Sequence, residues 1–290
     1  MKIVLGSNQY GKAETRLVRI TRQGDVHSIK DVNVSVALSG DFEAVHLTGD
    51  NSKVLPTDTQ KNTVYAFAKQ APVGEIEEFG LRLARHFVDG YEPVMRARVT
   101  IEEYPWSRIA VNGSGHPHSF TRAGAEKRLS TVTYDGKRAL VVSGLSDLVV
   151  LKSTGSEFWG YMHDRYTTLE ETRDRILATA VTARWLYSST EIEWSPAFAN
   201  AREKLIETFA TTHSLSLQQT LYKMGEAVLE ARPEVAEVRM AMPNKHHFLV
   251  DLSPFGLQND DEVYYAADRP YGLIEGGVLR EGAEPAPEAW

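Results

Sequence analysis

The chain has 290 residues, 42% of them hydrophobic and 24% charged, a composition far from disordered, collagenous or membrane-embedded chains and sufficient for a substantial core. Lys and Arg total 32 against 39 Asp and Glu, a net charge of -7, which argues against a protein that coats nucleic acid or an anionic membrane, since both need a basic face. Cysteine is absent, so disulfides, thiolate nucleophiles, iron–sulfur ligation and Cys-containing zinc sites are excluded.

In chain order, Arg16–Thr21 and Val32–Leu38 place β-branched residues at every second position and are predicted as long antiparallel strands. A third alternating piece, Phe42–Leu47, is predicted as a strand ending near Gly49-Asp50. The period then changes. Apolar residues fall at helical spacing from Thr57 to Ala71 (Val64, Phe67, Ala68) and from Glu75 to Asp89 (Phe79, Leu83, Phe87). Alternation returns through Val94–Ile101 and, past a Gly/His/Pro loop at 112–118, through Leu129–Tyr134.

The second half repeats the order: strand-like Ala139–Val142, Leu148–Leu151 and Thr179–Tyr187, then two helices. Ser195-Pro196 opens the first, running to about Thr211, with Ser as the cap and Pro at the first helical position. The second runs from Leu217 to Ala231 and is stopped by Pro233. Strands follow at Val235–Met242 and His247–Asp251, with Asn244 expected at a turn between them. The first helix of each half begins near 57 and near 196, about half the chain apart. This spacing suggests a duplicated unit, two strands, two helices and two strands, with a division at 1–137 and 138–290. Each unit would be an α+β layer, an antiparallel sheet with both helices on one face. Two such units satisfy each other's open edges only by curling side by side, and closing the sheet into a barrel needs a second chain, so an oligomer is expected.

Motifs for nucleotide cofactors are absent: the chain has no Walker-type loop, no Gly-x-Gly-x-x-Gly between strand and helix, and no Gly-x-Ser-x-Gly elbow. Gly113-Ser-Gly115 is expected to be loop. His116-Pro-His118 and His246-His247 raise the question of a metal, but neighbouring strand residues point to opposite faces and no His-Glu-x-x-His is present, so no metal site is assigned. Thr57-Asp-Thr-Gln60 reads as a capping box, and Ser216 with Gln219 as a second helix start. Either helix start can also present N–H groups and positive dipole to an anion. Taken singly, Lys12 and Arg175 read as solvated surface charges, and Phe158-Trp159 as core or interface.

No segment approaches the roughly 18 consecutive apolar residues of a membrane span. The N-terminal apolar stretch is too short for a secretory signal and the C-terminal Glu-Ala-Trp is no peroxisomal address, so a cytoplasmic location is expected.

Five ordered motifs resemble the urate oxidase (uricase) family: Tyr10-Gly-Lys12; Leu55-Pro-Thr-Asp58 with Lys61-Asn62-Thr63; Leu151-Lys-Ser-Thr154 with Phe158-Trp-Gly160; Tyr166-Thr-Thr-Leu169 with Asp174-Arg175; and Pro243-Asn-Lys-His246. The likeness spans about Tyr10 to Asp251. It implies tandem tunnelling-fold (T-fold) units assembling into a barrel, a homotetramer with active sites shared between subunits, and oxidation of urate by O2 to 5-hydroxyisourate and H2O2 with neither metal nor organic cofactor. By the same resemblance, Arg175 and Gln218 would hold opposite edges of urate, Leu217 and Asp58 would offer main-chain contacts, and Phe158 would stack on the ring. Thr57 and Asn244 would bracket the site of O2 and water, and Lys12, Thr57 and His246 would relay protons. Lys12 and Thr57 are expected from one subunit, Arg175 and Gln218 from its neighbour. Two other readings stand beside it: a purine or pterin enzyme of the same fold, which would need a metal and consume no O2, and a purine-binding oligomer that binds urate without releasing peroxide.

Overall fold

The computed structural model describes residues 2–122 and 124–290. It divides into two compact units: Met1–Gly144 with Leu186–Pro196 and Glu284–Trp290, and Leu145–Trp185 with Ala197–Ala283.

In the first unit the chain forms strands β1 (Tyr10–Gln23) and β2 (Val26–Gly40), a short helix α1 (Glu43–Leu47), helices α2 (Thr57–Gln70) and α3 (Ile76–Gly90), and strand β3 (Val94–Glu103). A two-stranded hairpin of β4 (Ser107–Val111) and β5 (Ser114–Thr121) follows, then β6 (Lys127–Tyr134) and the first residues of β7 (Ala139–Lys152). β2 pairs antiparallel with β1 and β3, and β3 with β6. In register, Val36 lies opposite Val99 and Val99 opposite Val132. Val34, Val36, Leu38, Ala97, Val99, Ile101 and Val132 are all buried. Helix α3 covers them with Ile76, Phe79, Leu83 and Phe87, each fully buried and spaced on one helical face. A Cβ on Gly80 would stand 2.8 Å from Val132 Cγ2, so a glycine is what lets α3 lie this close to β6. Glu77, on the same helix and fully buried, is held by Arg128 Nη2 at 2.8 Å and Ser143 Oγ at 2.5 Å.

The second unit carries the rest of β7, most of β8 (Leu177–Tyr187), helices α4 (Trp194–Thr211) and α5 (Leu217–Ala231), and strands β9 (Val235–Leu249) and β10 (Tyr264–Leu279). The strand order is β7-β8-β9-β10. α5 buries Leu217, Leu221, Met224 and Val228. A Cβ on Gly225 would come 2.6 Å from Val278 Cγ2, a second close approach of helix to sheet. With the short α1 and the separate β4–β5 hairpin set aside, the element order is two strands, two helices and two strands, twice over, as the periodicity predicts.

Several local expectations are corrected. Residues 43–47 are helical and Phe42 precedes them as the N-cap residue, so the piece is not extended: Phe42 is buried with its ring edge-on to Tyr10 at 4.9 Å, and the chain then turns, His46 Nδ1–H donating to the Phe42 carbonyl at 2.7 Å. Six residues with apolar side chains at 42, 44, 45 and 47 fit either period. Residues 112–118 are a hairpin rather than a loop, turning at Asn112 and Gly113 with positive φ. β7 and β9 each run unbroken where two pieces were expected, so Asn244 is a strand residue opposite Gly272, not a turn. Ser195 lies inside α4, its hydroxyl donating to Glu75 Oε1 at 2.5 Å. β10 had no interpreted motif.

Candidate active site

The sequence-derived site residues fall into two groups, one in each unit. In the first, Lys12 sits where β1 slips register: Lys12 faces Val36, but the next pairing is Thr15 with Val34. A bulge of this kind re-aims the side chains on it. Glu14, at φ 56°, anchors the bulge by donating its N–H to Ser35 Oγ at 3.0 Å. Gly11 is required beside it, because a Cβ there would lie 1.8 Å from the Val36 carbonyl oxygen. Lys12 is thus half-buried at a built irregularity rather than a plain surface charge.

Tyr10 ties this strand to the start of α2. Its hydroxyl donates to the Leu55 carbonyl at 3.1 Å and accepts the Leu55 N–H at 2.9 Å. Burial pushes the Tyr10 phenol up, so it keeps the proton it donates. The helix start differs from the capping box expected: Pro56 is the N-cap residue, no side chain caps the helix, and Thr57 is its first residue. The Thr57 hydroxyl is therefore not spent on a backbone N–H. Asp58 binds Lys61 Nζ at 2.5 Å and Asn62 Nδ2 at 3.0 Å. The Lys61 hydrogen bond is the main reason its carboxylate titrates low, with the charge of Lys12 a smaller contribution.

In the second unit the segment 155–158 is held on two sides. Ser214 N–H donates to the Gly155 carbonyl and Glu157 N–H to the Ser214 carbonyl, at 2.9 and 2.7 Å. Phe158 and Thr172 exchange both backbone bonds, and Arg175 N–H donates to the Ser156 carbonyl at 2.9 Å. Asp174 braces the turn, accepting from Thr154 Oγ1 at 2.8 Å and Gly155 N–H at 3.0 Å. These bonds set Arg175 Cζ 5.1 Å from the centre of the Phe158 ring. They also bring both residues to the segment leading into α5, where Ser216 caps the helix by accepting from Gln219 N–H at 3.1 Å and Gln219 Oε1 accepts Leu215 N–H at 2.8 Å. Leu217 is buried at the first helical position and Gln218 beside it is exposed.

Arg175 is the most telling residue of the site. Its Nε is buried with no hydrogen-bond partner, and burial lowers its pKa. A guanidinium stays ionised regardless, so a half-buried planar cation with an unmatched Nε donor beside an aromatic face fits a planar anion. On β9, Asn244 and His246 share one face, being two apart. His246 titrates low, first through burial and then through the charges of Arg175 and His247. At neutral pH it is an uncharged imidazole able to accept a proton. Among the described residues no group of three or more His, Asp or Glu is arranged to hold a metal ion.

Sequence reasoning missed Tyr10, Gly11 and Asp174 as the residues that position Lys12, Thr57 and Arg175. Each lies inside a motif that the resemblance singled out, but its role needs the cross-chain bonds.

The chain matches the family model described as Uricase over residues 8–133 and 141–275. It is 52% identical over 289 residues to the uricase of Arthrobacter globiformis, covering 100% of this chain and 94% of that protein. It is 40% identical over 288 residues to the uricase of Aspergillus flavus, covering 94% and 95%. Among solved structures, the crystal structure of Arthrobacter globiformis uricase superposes with a TM-score of 0.94 at 53% identity, covering 99% of this chain and 98% of that one. A uricase from Bacillus fastidious shares the fold at a TM-score of 0.82 and 24% identity, covering 96% and 95%.

Proposed function

The chain belongs to the uricase family and is a urate oxidase of α+β T-fold architecture, and from that premise we propose that Arg175, Gln218 and Phe158 hold the urate anion while Lys12, Thr57 and His246 move protons. The overall reaction is urate + O2 + H2O to 5-hydroxyisourate + H2O2. Two electrons leave the purine for O2, which takes up two protons as peroxide, and the oxygen of water bonds to the oxidised ring carbon. Deprotonated urate is electron-rich enough to donate to O2 itself, so the protein supplies orientation, proton transfer and electrostatics, and no cofactor is required.

The observation that carries the assignment is the buried, unpartnered Arg175 Nε beside the Phe158 ring. Arg175 binds one edge of urate with two parallel N–H donors, the Gln218 amide meets the opposite edge, and Phe158 stacks on the ring. The first-turn N–H groups of α5 at Leu217 and of α2 at Asp58 have no partner within their helices and add main-chain contacts. Thr57 and Asn244 bracket the position used first by O2 and then by water. Neutral His246 accepts a proton, and the Lys12 ammonium polarises the Thr57 hydroxyl that completes the relay.

Each site forms where Lys12, Thr57 and Asp58 of one subunit meet Phe158, Arg175, Leu217, Gln218, Asn244 and His246 of the next, in a homotetramer whose sheets close into a barrel from T-fold units 1–137 and 138–290. Exposed apolar residues on the edge strands, Val18 and Ile20 on β1 and Tyr265 and Leu273 on β10, support such pairing. Among the described residues no helix is long and apolar enough to cross a membrane; a cytoplasmic enzyme is part of the proposal.

The test is O2 uptake with peroxide release by chelator-treated protein given urate, beside Arg175→Ala. Uptake that survives chelation and disappears in the variant is the expected result. Uptake that chelation abolishes and a metal restores would overturn the cofactor-free reading, and undiminished turnover in the variant would overturn the pocket.

A further inference from the structure

Phe158 does not stand alone. Tyr161 stacks on it with ring centres 4.8 Å apart and planes 19° from parallel, and His163 stacks on Tyr161 in turn at 5.0 Å and 23°. This column is fixed from the side. Tyr161 O–H donates to the Leu169 carbonyl at 2.6 Å, and Glu171 accepts the Gly160 N–H at 2.9 Å while lying 3.7 Å from His163 Nε2. Gly160, at φ 73°, supplies the left-handed turn that folds Tyr161 back under Phe158. Glu171 adjoins Thr172, the residue that exchanges both backbone bonds with Phe158. The side chains and the backbone therefore converge on one result, a Phe158 ring whose tilt is set.

We propose that Tyr161 is a positioning residue for urate: its ring backs one face of Phe158, locks the plane of that ring and presents the opposite face, flat and pre-oriented, to the purine. The proposal rests on the assignment of Phe158 as the stacking residue. Offset-parallel stacking depends on the angle between rings, so a Phe158 free to rotate about χ2 presents a stacking surface only part of the time. Tyr161 touches no reacting atom in this scheme. Its removal should weaken urate binding while the chemical step, once urate is seated, goes at the parent rate.

The experiment compares Tyr161→Leu and Tyr161→Phe with the parent by steady-state urate oxidation, with thermal unfolding as the folding control. Tyr161→Leu keeps most of the volume and loses the flat face. It is expected to raise KM by roughly 2- to 12-fold, the range spanned by an aromatic pair, with kcat unchanged. Tyr161→Phe keeps the stack, loses only the bond to Leu169, and should restore the parent KM. An unchanged KM in Tyr161→Leu, a fall in kcat alone, or a Tyr161→Phe as impaired as Tyr161→Leu would overturn the proposal. Absence of urate oxidation by the parent itself would instead sink the assignment of Phe158, so the two failures are distinguishable.

Discussion

Replacing Arg175 by Lys separates the two things the residue contributes, its fork and its charge. The fork offers urate two parallel N–H donors, and a hydrogen bond to a charged partner contributes about 1.5–3 kcal/mol. Lysine keeps the cation but reaches with a single point donor, so one such bond is lost and kcat/KM should fall about 10- to 160-fold. Arg175→Gln removes the charge as well, and this has a second signature. The charge of Arg175 is one cause of the low pKa of His246, after burial. Removing a cation eases protonation of the imidazole, so the pKa rises and the acidic limb of the pH–rate profile moves to higher pH. Lys at 175 leaves that limb where the parent has it. The assay is loss of urate absorbance across the acidic range for the parent and both variants. A Lys variant within about two-fold of the parent would refute the bidentate grip. An acidic limb that does not move in Arg175→Gln would refute the coupling to His246.

Lys12→Met and Thr57→Ala are each expected to lower kcat by about 10²–10⁴, the range for a lost proton-transfer group, with binding of a competitive purine analogue retained; parent-like turnover in both rules out the relay. Gly11→Ala forces a Cβ to 1.8 Å from the Val36 carbonyl oxygen, so β1 must part from β2 at a cost of about 1–3 kcal/mol or more. Both Tm and turnover should drop, and a parent-like Tm would contradict the close approach. Phe79→Ala empties a fully buried ring site under α3 and should cost about 3–5 kcal/mol in urea unfolding, with activity per folded molecule preserved. Co-expression of Lys12→Met with Arg175→Ala should regenerate intact sites in about a quarter of positions, since each shared site draws the two residues from different chains at random. No recovery in mixed tetramers argues for sites built within one chain.

Long amphipathic elements were legible because their period is set by burial: β2 alternates buried residues from Val32 to Leu38, α3 and α5 keep one face on the core for ten residues or more, and alternation or helical spacing reports it directly. The Phe42–Leu47 piece failed because one buried anchor, Phe42, decides its course while Leu47 is 61% exposed, leaving no sustained pattern. Asn244 was misread for a related cause. Pro243-Asn244 has the composition of a turn, yet β10 pairs across it, and that partner lies in a stretch without an interpreted motif. The site was legible only as motifs. Nothing in the local pattern distinguishes Arg175 from a surface arginine. Its character comes from bonds to Ser156 and from the Phe158 ring, more than fifteen residues back.

The acidic residues around Arg175 explain why its charge is left for a ligand. Three carboxylates belong to the segments that frame it, and each is turned elsewhere. Asp174 accepts from Thr154 and Gly155, Glu157 from His213 at 2.6 Å and Trp159 at 2.5 Å, and Glu171 from Gly160. Had any of them closed on the guanidinium, the ion pair would have satisfied Arg175 within the chain, and urate would have had to break it before binding. Instead the same carboxylates knit 154–160 to 171–175 and 213, holding Arg175 and Phe158 in fixed relation. The cost is one buried donor without a partner, Arg175 Nε. An unmatched donor of this kind destabilises the empty enzyme relative to the bound one, so the anion gains affinity from a group the fold has kept free.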